Sequence, residues 1–197
     1  MAAGAELIAR LRLICGERNV LTQPALLSVY RSDGLRRDGS LPAAAVLPGT
    51  TVEVANIVSA CVGAGADFVV RGAGTSRRGG ALPSPGAVLI VLSRLRRIVE
   101  LTATRLTVEA GAPLAALPPP AAGRWLDTDE LLGTVGGFLA ETPAGADVAA
   151  LELVRPDGSR HHLGATDLGY DLAGAFPGSR GREGIAVAIT LRPLRLP

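Results

Sequence analysis

Ten residues in the first half of the chain, RGAGTSRRGG (71–80), combine four glycines with three arginines and follow directly on an apolar run. Glycine is unfavourable inside regular elements, because it loses more backbone freedom on folding than other residues do. Its density here therefore indicates a backbone that bends unusually or approaches another group closely. The consecutive N–H groups from Gly72 to Ser76 would converge on an anion such as a diphosphate. Gly79 and Gly80 would let the chain double back.

Two common phosphate motifs do not fit this loop. The P-loop G-x-x-x-x-G-K-[ST] requires a lysine, and all 20 basic residues of this chain are arginine. The dinucleotide motif G-x-G-x-x-G requires a third glycine where Arg77 stands, and a helix directly afterwards. The next segment is instead AVLIVL (87–92), which is typical of a buried strand. Two interpretations remain, an anion-binding loop between two strands and an ordinary glycine-rich connection.

The elements that would position this loop form a predicted β-α-β unit. AAAVLP (43–48) predicts one strand and Phe68–Val70 predicts another. Between them, Thr50 and Glu53 fit the capping box that begins a helix, and the helix is predicted to end at Gly63 or Gly65. A right-handed crossover between the two strands is expected. Before this unit, helical spacing over residues 5–14 precedes an irregular, polar crossing segment within residues 19–41.

The second half predicts further short elements. These are two strands around a turn in 97–111, a loop entering a short helix in 131–142, a hairpin in 151–163, a helix in 166–176 and a final strand in 184–194. Three prolines at 118–120 interrupt the pattern. The predicted organisation is an N-terminal helix and crossing segment (1–41), a first lobe (42–117) and a second lobe (118–197).

Composition excludes several classes of protein. With 197 residues, 48% of them hydrophobic, and a net charge of +2, the chain is expected to be globular, without a nucleic-acid surface. The N-terminus has no continuous apolar stretch, so neither a signal peptide nor a membrane span is predicted, and a cytoplasmic location is expected. Cys15 and Cys61 are expected to be reduced core residues. His161 and His162 are expected to form an exposed pair in a hairpin strand, and no metal site is predicted.

Four stretches, in order, resemble the flavin-binding domain of the vanillyl-alcohol-oxidase and p-cresol-methylhydroxylase type of flavoprotein. They are AAAVLPGTTVEVANIV (43–58), VVRGAGTSRRGGALP (69–83), GTVGGFLAE (133–141) and GYDLAGAFPGSRGREGIAVAITLRP (169–193). Within that superfamily the chain is most similar to the FAD-linked subunit of glycolate oxidase and to D-lactate dehydrogenases. The resemblance implies an α+β, two-lobed FAD-binding domain.

The resemblance also implies which residues bind FAD. In the first lobe, backbone donors would hold the pyrophosphate at Arg71, Gly72, Ala73, Gly74, Thr75, Ser76, Gly79 and Gly80. In the second lobe, Thr134, Gly136 and Gly137 would approach the phosphate and ribityl side, where Thr142 stands at a position that is often asparagine. Gly184, Ile185 and Val187 would line the adenine or ribose end. Because Thr75 stands where flavinylated relatives carry histidine, non-covalent FAD is expected.

The resemblance leaves two functions open. The first is the FAD-binding subunit or domain of an oxidoreductase that acts on a 2-hydroxy acid, with the flavin accepting hydride. Relatives carry a C-terminal cap domain after this region, so a partner subunit or another chain would supply the catalytic base and the carboxylate-binding group. The second is a degenerate flavin domain that binds FAD weakly or not at all and serves as an assembly subunit. The catalytic residues are not identified.

Overall fold

A computed structural model describes residues 4–35, 38–164, 171 and 173–194. Within these ranges the protein is an α+β fold. Its helices are α1 (Ala5–Cys15), α2 (Pro24–Leu27), α3 (Thr51–Gly63) and α4 (Val135–Glu141). Its strands are β1 (Val20–Leu21), β2 (Ala44–Val46), β3 (Phe68–Arg71), β4 (Val88–Val91), β5 (Ile98–Leu101), β6 (Leu106–Glu109), β7 (Asp147–Val154), β8 (Arg160–Gly164) and β9 (Ile185–Arg192).

The chain divides into two compact units. The first comprises Met1–Arg94 with Pro156–Ser159, and the second comprises Leu95–Arg155 with Arg160–Pro197. The sequence predicted that the second lobe begins at residue 118, whereas the structure assigns β5 and β6 to the second unit. The reason is hydrogen bonding, because β6 pairs with β9 along Leu106–Glu109. The division between the two units therefore falls after Arg94 and not at the prolines 118–120.

The first unit is built on a four-stranded sheet in the order β1-β2-β4-β3. β4 lies between β2 and β3 and runs parallel to both, so the predicted β-α-β unit exists with β4 between its two strands. All four residues of β4 are buried, as expected for a parallel strand covered on both faces. One hydrophobic cluster of this unit joins Leu27 to Ala45, Leu89 and Val91, and the partly buried Tyr30 and Val69 pack against it.

Helix α3 begins and ends where its sequence predicts. The Thr50 hydroxyl accepts a hydrogen bond from the Glu53 N–H at 3.1 Å, and the Glu53 carboxylate accepts one from the Gly49 N–H at 2.8 Å. The helix ends at Gly63, and Gly65 follows with φ +58°. That left-handed residue closes a Schellman motif, in which the Ala66 N–H donates to the Cys61 carbonyl at 2.9 Å.

The second unit is built on an antiparallel sheet in the order β5-β6-β9-β7-β8. Helix α4 packs on β6 and β9. At the edge of the sheet, all four residues of β5 are exposed. The end of this strand is anchored by the buried Glu109 carboxylate, which accepts hydrogen bonds from Arg97 N, Nε and Nη2 at 2.8, 3.0 and 2.7 Å. The same ion pair raises the pKa of Arg97.

The helix predicted over 166–176 falls mostly on 166–170 and 172, which lie outside the described residues, so it stays a prediction there. The described residues 173–176 form turns instead of a helix, and the Phe176 N–H donates to the Ala173 carbonyl at 3.3 Å. Gly174 and Pro177 both disfavour a helix at this end. Across the described residues, none of the helices has both the length and the apolarity needed to cross a membrane.

Candidate functional site

The glycine-rich loop connects β3 to β4, its parallel neighbour, without an intervening helix. Arg71 is the last residue of β3 and pairs with Val91, so its backbone belongs to the sheet. Gly74 and Gly79 have φ values of +75° and +79°, a region that residues with a Cβ rarely adopt. This confirms the predicted strand–loop–strand arrangement, with left-handed backbone at Gly74 and Gly79 inside the loop.

Five consecutive backbone donors in this loop are available to a ligand. Within the part of the chain that the structure describes, the N–H groups of Gly72, Ala73, Gly74, Thr75 and Ser76 donate to no acceptor in the protein. Two residues after Ser76, the Arg78 N–H is already occupied, since it donates to the Ser76 hydroxyl at 3.1 Å. Each of the five residues is exposed or half-buried. A row of accessible, unpaired amides of this kind fits the oxygens of a diphosphate.

The side chain of Arg71 lies under the loop and is only 7% exposed. Its guanidinium donates to three backbone carbonyls: Ser32 at 3.0 Å, Ala81 at 3.3 Å and Tyr30 at 3.4 Å. It also lies over the Tyr30 ring, 5.8 Å from the ring centroid. Burial lowers the pKa of Arg71, while Tyr30 and Asp33 act in the opposite direction. These contacts of the Arg71 side chain were not predicted, and the predicted role of the Arg71 backbone as a phosphate donor stays a prediction.

A second part of the chain supports the same loop. From here the name crossing segment is kept for the described residues 30–35 and 38–40, which follow β1 and α2 within the predicted range 19–41. Its Gly34 N–H donates to the Ser76 carbonyl at 2.8 Å, and a Cβ on Gly34 would meet the carbonyl of Thr75. Farther on, the Ser40 N–H donates to the Pro83 carbonyl at 3.3 Å. The sequence predicted irregular structure over 19–41, whereas the structure has β1 and α2 within that range. The contact of the crossing segment with the glycine-rich loop was not predicted.

In the second predicted flavin loop (133–141), unlike the first, backbone N–H groups donate to acceptors within the protein. Thr134 is buried and caps α4, since its hydroxyl accepts from the Gly137 N–H at 3.3 Å. The Gly136 N–H donates to the Ala110 carbonyl at 2.8 Å, and a Cβ on Gly136 would meet the Ala110 side chain. Close packing on Ala110 therefore requires glycine at position 136 whether or not a cofactor is bound. The predicted contacts of these residues with FAD stay predictions.

The remaining predicted site residues lie in or beside regular elements. Thr142 is the C-cap residue of α4, and its N–H donates to the Phe138 carbonyl at 2.9 Å. Gly184 has φ +135°, and a Cβ there would meet the Val154 carbonyl. Ile185 is 8% exposed and Val187 is 0% exposed, so the Val187 side chain belongs to the core of its unit. That burial argues against a contact through the Val187 side chain, and the predicted adenine or ribose contacts stay predictions.

Other candidate residues are accounted for without a ligand. His161 and His162 are both exposed on β8, as predicted. Trp125, the only tryptophan, is 3% exposed and donates from Nε1 to the Pro118 carbonyl at 2.7 Å. Cys15 and Cys61 are buried and free, as predicted. Over the described ranges, the His, Cys, Asp and Glu side chains form no group of three or more that could hold a metal.

The comparisons with known proteins agree with this architecture. Residues 42–164 match the family described as "FAD binding domain". The chain is 29% identical over 188 residues to the glycolate oxidase subunit GlcD of Escherichia coli K12, covering 85% of this chain and 38% of that protein. It is 31% identical over 192 residues to D-2-hydroxyglutarate dehydrogenase of Xanthomonas citri pv. viticola, covering 87% of this chain and 41% of that protein.

Among solved structures, p-cresol methylhydroxylase superposes with a TM-score of 0.75 at 20% identity, covering 98% of this chain and 43% of that one. The fold is thus that of the FAD-binding domain of p-cresol-methylhydroxylase-type flavoproteins. The chain belongs to the FAD binding domain family. It spans about two-fifths of the length of the curated relatives given above.

Proposed function

We propose that this chain is the FAD-binding subunit or domain of an oxidoreductase that acts on a small 2-hydroxy acid. The observation that carries the proposal is the row of five unpaired amides from Gly72 to Ser76. Glycolate and 2-hydroxyglutarate, which appear in the names of the two relatives, are both 2-hydroxy acids. Those names support the substrate class, and the amide row supports binding of the cofactor through its diphosphate.

The residues of this chain would bind and orient FAD rather than react. Amides 72–76 would each donate to a diphosphate oxygen, and a hydrogen bond to a charged group is worth about 1.5–3 kcal/mol. Thr75 has a hydroxyl where covalent attachment would need an imidazole, which favours non-covalent binding. When bound, FAD would supply the hydride acceptor. The base that takes the substrate hydroxyl proton would come from a partner subunit or from another segment.

A second candidate is favoured by the second loop. Because the amides of Gly136 and Gly137 are hydrogen-bonded within the protein and Val187 is buried, these residues of the second unit offer few groups to a cofactor. A degenerate flavin domain with an assembly role would show this pattern. Such a protein would bind FAD weakly or not at all.

Ligand binding distinguishes the two candidates. We expect the purified protein to be yellow, and the apoprotein to be stabilised against thermal unfolding by FAD and by ADP, which both carry a diphosphate, but much less by riboflavin, which carries none. A ligand at one hundred times its Kd adds about 2.7 kcal/mol to the free energy of unfolding. A colourless protein whose unfolding temperature is unchanged by FAD and by ADP would support the degenerate domain and contradict the proposed function.

A further inference from the structure

In the first unit, the buried Arg71 guanidinium donates hydrogen bonds to backbone carbonyls of the described residues. The Arg71 guanidinium donates to Tyr30 and Ser32 of the crossing segment and to Ala81 at the far end of the loop. A buried guanidinium needs its donors satisfied, since an unpaired buried charge is costly. One side chain therefore connects three separate stretches of backbone: the end of β3, the crossing segment and the exit of the loop.

This contact lies directly against the amide row. A Cβ built on Gly74, the middle of the five residues, would meet the Nη2, Cζ and Nε atoms of Arg71. The guanidinium thus fills the space on one side of the loop at its centre. Beside it, the Gly34 N–H holds the Ser76 carbonyl at 2.8 Å. The end of the amide row is fixed by the crossing segment, and its centre is supported by Arg71.

We propose that Arg71 and the crossing segment act together as the positioning device for the diphosphate, with no direct contact between the Arg71 side chain and the ligand. The inference rests on the proposed FAD-binding function. Arg71 holds amides 72–76 in their binding conformation before the ligand arrives, which lowers the entropic cost of binding. Its buried positive charge also makes the loop more attractive to an anion than the amides alone would be, because charges act more strongly when removed from water.

The test compares the same substitution at two arginines of one loop. Arg78 is exposed and Arg71 is buried, so R71Q and R78Q each remove one positive charge near the amides. We expect R71Q to weaken binding of both FAD and ADP by about 10- to 100-fold, measured by fluorescence titration of the apoprotein. R78Q should weaken it by less than about threefold, because exposed charges are screened by salt. R71K keeps the charge without the planar fork of donors and should fall between wild type and R71Q.

Folding is measured on the same samples by far-ultraviolet circular dichroism. If R71Q does not fold, G34A replaces it, because its Cβ would push the crossing segment away from Thr75 without removing the Arg71 charge; we expect at least a tenfold loss of ADP affinity. Equal losses in R71Q and R78Q, or wild-type affinity in R71Q or G34A, would overturn the inference and leave the proposed function standing. A wild-type protein that binds neither FAD nor ADP would overturn both.

Discussion

The Arg71 guanidinium occupies the space that a side chain at Gly74 would need. Gly74 is therefore required for two separate reasons, its φ of +75° and its contact with a buried cation. Gly80, six residues later in the same loop, differs in both respects. Its φ is not positive, and a Cβ there would meet nothing within 4 Å. The two glycines form a matched pair for testing which feature of the loop matters.

We expect G74A to lower the free energy of unfolding by about 1–2 kcal/mol from backbone conformation alone, and to weaken FAD binding as Arg71 is displaced. G80A should leave both quantities within about 0.5 kcal/mol of wild type. Urea unfolding and FAD titration of the two variants measure this. Equal behaviour of G74A and G80A would contradict the assignment of Gly74 to the centre of the binding loop.

Thr134 offers a test of the second loop. T134A removes the hydroxyl that accepts from the Gly137 N–H, and loss of such a cap costs about 1 kcal/mol. T134S restores an acceptor and should restore stability. The fluorescence of Trp125, which is buried in the same unit, reports the unfolding.

T50A, which uncaps α3 in the first unit, is the control for T134A. If Thr134 also contacts FAD, T134A should lose more FAD affinity than T50A does at equal loss of stability. Equal affinities would restrict Thr134 to capping α4.

Glu109 is the buried partner of an exposed arginine. E109Q keeps the shape of the side chain but removes the charge to which Arg97 donates through N, Nε and Nη2. We expect the thermal unfolding temperature to fall by a few °C, with faster hydrogen exchange in β5. R97Q is the comparison. It removes the guanidinium donors, and the buried Glu109 carboxylate keeps only the hydrogen bond from the backbone N–H of residue 97. An unchanged exchange rate in β5 for both variants would show that this ion pair does not anchor the strand.

The two cysteines predict a loss of stability at alkaline pH. Burial raises the pKa of the Cys61 thiol to about 11, and burial with a smaller effect of Glu53 raises that of Cys15 to about 12. An unfolded thiol titrates near pH 8.5–9. Between these values the unfolded chain has released protons that the folded protein keeps, so this contribution to stability is complete below about pH 8.5 and is lost as the pH rises toward 11–12.

For Cys61 the predicted loss at pH 10 is about 1–2 kcal/mol. C61A should therefore show a smaller decrease in the free energy of unfolding between pH 7.5 and pH 10 than wild type does, measured by urea unfolding at both values. An identical decrease in the two proteins would mean that the Cys61 thiol is ionised in the folded state or does not respond to burial.

Much of the local structure could be predicted from the sequence because its signals are short-range. Thr50 with Glu53 marked the start of α3 and Gly63 or Gly65 its end, and the hairpin predicted over 151–163 is formed by β7 and β8. The family and its first loop were recognisable for the same reason, since glycine spacing reflects backbone geometry directly. The position of β4 between β2 and β3 was not predicted, because strand order depends on contacts between residues far apart in the chain.

The part played by Arg71 was missed although a signal existed. Alternation along β3 places Arg71 on the same face as Val69, and Val69 packs against the cluster that includes Leu27 and Tyr30. That pattern predicts an arginine directed toward the crossing segment rather than toward solvent. The Gly34 contact had no such signal, because nothing local indicates which distant backbone a glycine approaches. The unit boundary was also misplaced, since the pairing of β6 with β9 spans more than seventy residues.

The order of strands in the second sheet governs how this unit can assemble. β9 follows the β5–β6 and β7–β8 hairpins along the chain, yet it lies between them and pairs with one strand of each. Until residues 185–192 have been synthesised and docked, the two hairpins have no common partner, and an isolated hairpin is marginally stable in water. Closure of the sheet is therefore a late event in the folding of this unit, and the unpaired edges of β6 and β7 are open to non-native pairing until then.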